Sequence, residues 1–253
     1  MVTLPIQAVF FDVYNTLLKL NPAPADANDR WRQLKKHLNL ESLPDLARFQ
    51  EANEIVIARH HVRARTIGIG YPEIYWPQVV KLAWPVTTGL SPAALDDFLF
   101  AHARLVHSTT LNDGAANLLG ELRGRKIPVG IVSNAQPYTL RELEEGLKKQ
   151  GLSMDCFRPE ICFWSFESGF SKPDPHVFSW LEGRLRRFGI QCSEALIVGD
   201  RLDNDILPAQ SQGFQTWMTA ESGAHSPANG TGTLLDLSKT LATLGMLPQK
   251  NIR

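Results

Sequence analysis

Short, nearly continuous apolar runs punctuate the chain. Ile6, Ala8, Val9, Phe10 and Phe11 form the first, which stops at Asp12. Val129-Gly130-Ile131-Val132 stops at Ser133-Asn134, and Ala195-Leu196-Ile197-Val198 stops at Gly199-Asp200. Ile161-Cys162-Phe163-Trp164 lies between those two, and Thr216-Trp217-Met218 follows them. Runs of this kind suit strands buried on both faces of a parallel sheet. Helical spacing separates them. Ala115, Leu118, Leu119 and Leu122 recur at i, i+3, i+4 and i+7, and Pro137 suits the first position of a helix carrying Leu140, Leu143 and Leu147. Val177, Leu181 and Leu185 continue the theme, as does the stretch from Ile206 to Gln212. Strands alternating with helices predict an α/β fold with a parallel, Rossmann-like sheet.

Between about Leu20 and Leu111 the buried-strand runs disappear. Trp31, Leu34 and Leu38, then Leu46, Phe49, Asn53 and Val56, read as helices, and Pro72, Pro77, Pro85 and Pro92 divide the remainder. The expected organisation is an α/β core over 1–18 and 112–253, interrupted by a helical insert over 19–111. Residues 221–232 read as a loop and Leu234 to Leu244 as a closing helix.

Composition narrows the class of function. The chain has 253 residues, 43% hydrophobic and 21% charged, which is ordinary globular usage and argues against disorder. Lys+Arg and Asp+Glu both number 26, so no cationic excess is available to displace counterions, and nucleic acid is not an expected partner. No apolar stretch reaches the roughly 18–20 residues of a membrane span. The apolar N-terminus is cut short by Asp12 and has no basic segment before it, so a secretory signal is not expected. Cys156, Cys162 and Cys192 are odd in number and include no CxxC pair, which reads as buried reduced thiols in a cytoplasmic protein.

Open α/β sheets keep their sites at the carboxyl ends of the strands. Four polar clusters fall there: Asp12-Val13-Tyr14-Asn15-Thr16, Ser133-Asn134, Lys172-Pro173-Asp174-Pro175, and Gly199-Asp200-Arg201-Leu202-Asp203-Asn204-Asp205. Together they offer a carboxylate at a strand end, a hydroxyl and amide pair, a cation, and two further carboxylates five residues apart. That set suits covalent carboxylate chemistry on a small anionic substrate.

FFDVYNTLL, IVSNA, KPDPHVF and GDRLDND, in that order, resemble the four motifs of the haloacid dehalogenase (HAD) superfamily of hydrolases. The insert occupies the place of the helical cap found after the first motif in one subfamily. The resemblance implies Asp12 as nucleophile. Thr16, Ser133 and the backbone N–H of Asn134 would hold oxygens of the transferring group, and Lys172 would neutralise charge. Asp200, Asp12 and the Tyr14 carbonyl would bind Mg²⁺, with Asp205 acting through the metal's water shell.

One departure stands out. Phosphatases of this superfamily carry a second Asp two residues beyond the nucleophile, as general acid and base; here that position is Tyr14. A departing halide needs no proton, so Tyr14 points toward the dehalogenases. Asp200 and Asp205, a metal-type pair, point toward phosphatases, as does Phe178 where dehalogenases usually carry Tyr. The balance favours a Mg²⁺-dependent phosphatase-type hydrolase of a small phosphorylated metabolite. A metal-independent 2-haloacid dehalogenase is the alternative, followed by a catalytically weak relative that binds a phosphorylated ligand or a partner. In the insert, the basic run Arg59-His60-His61-Val62-Arg63-Ala64-Arg65 reads as a solvated helix face. Its functional reading puts Arg59 and Arg63, which share a face, over the core site to bind the substrate's charge. His60 or His61 is a candidate for the missing acid. Trp31, Trp76 and Trp84 read as core of the insert.

Overall fold

The computed structural model describes residues 1–3, 5–220 and 226–244. In chain order the elements are β1 (Ala8–Phe11), β2 (Leu18–Asn21), α1 (Ala27–His37), α2 (Leu46–Thr66), α3 (Trp76–Ala83), α4 (Pro92–Val106), β3 (Ser108–Leu111), α5 (Ala115–Gly124), β4 (Val129–Ser133) and α6 (Pro137–Lys148). There follow β5 (Phe163–Trp164), α7 (Ser165–Ser168), α8 (Pro175–Arg186), β6 (Ala195–Gly199), α9 (Leu207–Ser211), β7 (Gln215–Thr219), β8 (Gly230–Gly232) and α10 (Leu234–Thr243).

Six strands form one parallel sheet in the order β5-β4-β1-β6-β7-β8. The period-two alternation of strand side chains divides the core into two layers. Val9, Phe11, Ile131, Leu196 and Val198 point to one face, where they pack with Leu118, Leu143 and Leu237 of α5, α6 and α10. Ala8, Phe10, Val132, Ala195 and Ile197 point to the other and pack with Val177, Leu181 and Ala209 of α8 and α9. Every residue of β1, β4 and β6 is buried, as the continuous apolar runs require.

Four sequence expectations change. Ile161 belongs to a 3-10 turn, so β5 shortens to Phe163–Trp164. The stretch expected to be a loop contains β8, while residues 221–225 of it, like 245–253 of the expected core, lie outside the described residues. The insert begins and ends on an antiparallel ribbon, β2 paired with β3 through Leu18–Leu111 and Lys19–Thr110. LKLN and STTL carry too few apolar residues to have signalled strands. The cysteines are half-buried rather than buried.

The insert has its own core. Trp31, Phe49, Val80, Leu95 and Phe98 are buried together, with Trp76 and Trp84 packed against them, as the sequence reading expected. Trp31 meets Phe49 at 4.8 Å between ring centroids, and Phe49 stacks on Trp84 at 5.5 Å. Asp45 and Ser91 cap α2 and α4 by accepting from Arg48 N and Ala94 N. Gln136, just before α6, fastens the insert to the core. Its side chain accepts from Trp76 N at 2.8 Å and donates to the Ile74 carbonyl at 2.9 Å and to Glu73 at 3.1 Å. Among the described residues no helix is long and apolar enough to cross a membrane.

Candidate active site

Asp12 follows the last residue of β1, and its backbone N–H donates to Val198 O of β6 at 2.8 Å, which ties it to the centre of the sheet. The chain then turns through Asn15, whose φ of 56° is left-handed, a conformation Asn tolerates better than most residues. Lys172 arrives from the loop before α8. Its backbone is clamped by Asn134 at the end of β4, whose side chain accepts from Lys172 N at 2.8 Å and donates to Lys172 O at 2.9 Å. This fixes the root of the lysine. Its Nζ, almost fully buried, then bridges Asp12 Oδ1 at 2.8 Å and Asp205 Oδ1 at 2.5 Å.

Asp205 sits in a wide π turn, Leu202–Ile206, at the end of β6. Arg201 N donates to its Oδ2 at 3.0 Å. Gly199 is required for this approach: a Cβ there would collide with the Asp205 carboxylate. Asp12, Asp200 and Asp205 each bring a carboxylate oxygen within 4.8 Å of the others. A cavity of about 230 Å³ opens on the cluster, lined by Asp12, Tyr14, Asn15, Asn134, Lys172, Asp200, Arg201, Asn204 and Asp205.

The electrostatics follow from burial and crowding. Burial pushes the Asp12 carboxyl up to about 6; Lys172 opposes the rise, and Asp205 and Asp200 add to it. Asp200 is also raised, first by burial and then by Asp205. Burial alone would lower the Lys172 ammonium, but Asp12 and Asp205 hold it above the usual lysine range. Three carboxylates therefore face one ammonium, and the Arg201 guanidinium is drawn outward to Asp203 at 2.7 Å. An all-oxygen donor set short of positive charge fits a hard divalent cation such as Mg²⁺.

Tyr14 lines the cavity, yet its hydroxyl is engaged elsewhere. It donates to Glu142 Oε2 at 2.6 Å and lies 3.0 Å from Thr139 Oγ1. Glu142, buried in α6, also meets His107 Nε2 at 2.9 Å, and the Tyr14 ring stands edge-on to His107 at 5.7 Å. Burial first, and then Glu142, raise the phenol above its ordinary pKa.

Thr16 is fully buried, with its hydroxyl 3.5 Å from that of Thr219, and does not line the cavity. Ser133 is buried at the end of β4, and its Oγ has no hydrogen-bond partner among the described residues. Arg59 and Arg63 are exposed on α2 and do not reach the carboxylates. Arg63 and His60 line a separate cleft of about 520 Å³ with Glu73 and Phe166. His61 lies outside both cavities. Arg59, Arg63 and Arg65 of the basic run are solvent-exposed on α2. Phe178 packs beneath the sheet against Phe214. Sequence reasoning missed Asn15, Arg201 and Asn204 as cavity walls, although all three lie inside the recognised motifs. Glu142 had no readable signal, since a polar pair such as Thr139 and Glu142 at i, i+3 looks like an exposed helix face.

A parallel sheet with an aspartate after its central strand, a clamped lysine and a carboxylate pair on the neighbouring strand end defines a hydrolase core of the HAD type. The profile of haloacid dehalogenase-like hydrolases matches residues 6–213, and the chain belongs to that family. Among curated relatives, a glyceraldehyde 3-phosphate phosphatase of Pyrococcus abyssi is 34% identical over 103 residues, 41% of this chain and 40% of the relative's length. A ribulose-1,5-bisphosphate 5-phosphatase of Halopiger xanaduensis is 27% identical across 95% of this chain and 97% of its own. The crystal structure of a 2-haloacid dehalogenase from Pseudomonas syringae pv. Tomato superposes with a TM-score of 0.59 at 21% identity, covering 94% of this chain and 99% of that one. That likeness speaks to the fold alone.

Proposed function

We propose that the protein is a Mg²⁺-dependent phosphatase that acts through an aspartyl-phosphate on Asp12, with a small phosphorylated metabolite as substrate. The observation that carries this reading is the convergence of Asp12, Asp200 and Asp205 around Lys172. A phosphate dianion approaching three carboxylates is repelled unless a cation offsets them. Asp12, Asp200, the Tyr14 carbonyl and, through water, Asp205 would hold Mg²⁺, which when bound supplies that neutralisation.

The remaining chemistry belongs to the chain. An Asp12 oxygen attacks phosphorus, and the bond from phosphorus to the leaving oxygen breaks as the acyl phosphate forms. Lys172 orients Asp12 and carries opposite charge to the transferring group. Ser133, buried at the end of β4 and not itself a wall of the cavity, would hold a phosphoryl oxygen through an Oγ that has no partner among the described residues. Water then cleaves the acyl phosphate, which releases phosphate and restores the carboxylate. The insert acts as the cap that excludes bulk water while this happens. The phosphatase-named relatives support the substrate class. Tyr14 supports a second reading, in which Asp12 attacks carbon and expels halide without a proton donor.

The deciding experiment is a panel of phosphate monoesters and 2-haloacids, each assayed with Mg²⁺ and with EDTA. Phosphate release that requires Mg²⁺ and vanishes in Asp12→Asn and Asp200→Asn is the expected result. Halide release indifferent to EDTA overturns the reading in favour of the dehalogenase.

A further inference from the structure

Arg201 follows Asp200 at the end of β6, and its backbone is built into the carboxylate cluster. Its N–H donates to Asp205 Oδ2 at 3.0 Å, and its carbonyl accepts from Asp205 N at 2.9 Å and from Ile206 N at 3.2 Å. The root of the side chain is thus fixed at the Asp12 cavity, of which Arg201 is a wall. The head is bound at the surface instead. The guanidinium forks onto Asp203, with Nε 3.1 Å from Oδ1 and Nη2 2.7 Å from Oδ2. Both side chains are open to solvent, Arg201 at 57% and Asp203 at 68% of full exposure, so a ligand can reach the guanidinium. Its hydrogen bonds to Asp203 first, and then the charges of Asp203, Asp200 and Asp205, hold it above its ordinary pKa, which places it within electrostatic range of the site.

The other walls are committed or uncharged. Lys172 bridges Asp12 and Asp205, and Asn134 clamps the lysine. Asn15 bonds to Asp200, and the Tyr14 hydroxyl to Glu142. Asn204 is a neutral amide. Positive charge on the cavity walls therefore comes from Lys172 and Arg201. Lys172 is buried and cannot leave without stranding two carboxylates. Arg201 can change partner at little cost. An exposed ion pair contributes little net stability, because water and salt screen it and both side chains lose freedom in forming it. Asp203, once released, is simply solvated. Its carboxylate thus occupies a guanidinium fork that suits a ligand's carboxylate or phosphate equally well. Arg59 and Arg63 of the insert, the sequence candidates for this role, do not line this cavity.

We propose that Arg201 is a specificity residue that exchanges Asp203 for a second anionic group on the substrate. The preferred substrate is then a phosphate monoester that also carries a carboxylate or a second phosphate. The inference rests on the phosphatase reading and narrows it. The transferring phosphoryl group sits at the buried Asp12 and Lys172, and the second anion sits on the exposed fork. A monoester without a second anion leaves Arg201 on Asp203 and gains nothing from it.

The test uses aryl phosphates, because Tyr14 offers a leaving group little protonation. With Mg²⁺ present, 3-carboxyphenyl phosphate and 1,3-phenylene bisphosphate are each compared with the neutral isostere 3-carbamoylphenyl phosphate. In wild type, KM is expected to be about tenfold lower for an ester with the second anion, the scale of a charge-assisted hydrogen-bonding pair. Arg201→Gln is expected to abolish that ratio through KM more than kcat, the form taken by loss of binding shared by ground state and transition state. Arg201→Lys, which keeps the charge without the fork, recovers part of it. Asp203→Asn, which frees the fork, is expected to widen the ratio about two- to fivefold. The lower KM of the two anionic esters tells whether a carboxylate or a second phosphate is preferred. Mg²⁺-dependent turnover with no preference for either of them, a preference unchanged in Arg201→Gln, or one lost in Arg63→Gln instead, overturns the proposal and leaves the phosphatase reading standing. If no ester turns over, the phosphatase reading fails, and calorimetry of the same compounds decides the rest. Tighter binding of an ester with the second anion, removed by Arg201→Gln, supports the Arg201 site, and any other result overturns it as well.

Discussion

Asp12 is asked to be ionised as a nucleophile in a place that disfavours its charge. Its native pKa of about 6 lies above the ordinary 3.8, so the folded chain binds more protons than the unfolded chain between those values. Stability contributed through Asp12 therefore falls as pH rises through that window. In metal-free protein, Asp12→Asn is expected to gain in melting temperature relative to wild type from pH 4 to 6.5, and Mg²⁺ is expected to reduce the gap. A gap that does not change with pH would show that Asp12 is not strained by burial. Tyr14 makes a second prediction. Its hydroxyl is committed to Glu142, so leaving-group protonation from this position is weak. Aryl and acyl phosphates should outrun alkyl phosphates, with a rapid burst of leaving group near one equivalent per site. Tyr14→Phe should keep that ratio, while Tyr14→Asp should raise alkyl phosphate turnover by about 10²-fold. Equal alkyl and aryl rates in wild type, with no burst, would mean that another group supplies the proton.

At the scale of elements, the site depends on how strands end. β6 ends in Gly199, and the π turn that follows swings Asp205 back over the glycine. A methyl group at Gly199 meets the Asp205 carboxylate and must displace it. Gly199→Ala is expected to cost about 1–3 kcal/mol of stability, the usual range for overpacking, and to weaken Mg²⁺ binding. Calorimetric titration of Mg²⁺ in the presence of a phosphate analogue checks this; unchanged affinity would mean that Asp205 does not serve the metal. The strand ends themselves were legible in the sequence, because an apolar run stopping at Asp, Ser-Asn or Gly-Asp marks where a buried strand meets solvent. The β2–β3 ribbon was not, because its residues are mostly polar and its stability comes from pairing between residues 87 or more positions apart.

At the scale of the molecule, the insert and core are joined by directional bonds. Gln136 holds Glu73, Ile74 and Trp76, Ser165 Oγ donates to Glu73 at 2.6 Å, and Arg141 reaches Asp96 at 2.7 Å and Asp97 at 2.9 Å. Gln136→Ala removes three hydrogen bonds at once, worth about 1–3 kcal/mol together. The expected outcome is faster amide exchange at Ile74–Trp76 with little change in β1 or β6, read by hydrogen-exchange mass spectrometry. Unaltered exchange there would show that the apolar contacts of the insert suffice to hold it.

The sequence by itself determined the alternation of strands and helices, the helical character of the insert, and the strand-end positions of Asp12, Ser133, Asn134 and Asp200. These are local properties, written in hydrophobic period and in where each period stops. Only the tertiary structure decided that Asn134 serves Lys172 with its side chain and that Thr16 turns toward Thr219. It also decided that Tyr14 bonds to Glu142, 128 positions away, and that Asn53, Trp76 and His102 come together beside one cavity. A polar residue on an apolar helix face looks the same in sequence whether it bonds to a neighbour, faces water or awaits a ligand. What separates these cases is which distant segment packs opposite, and that is settled only when the chain folds.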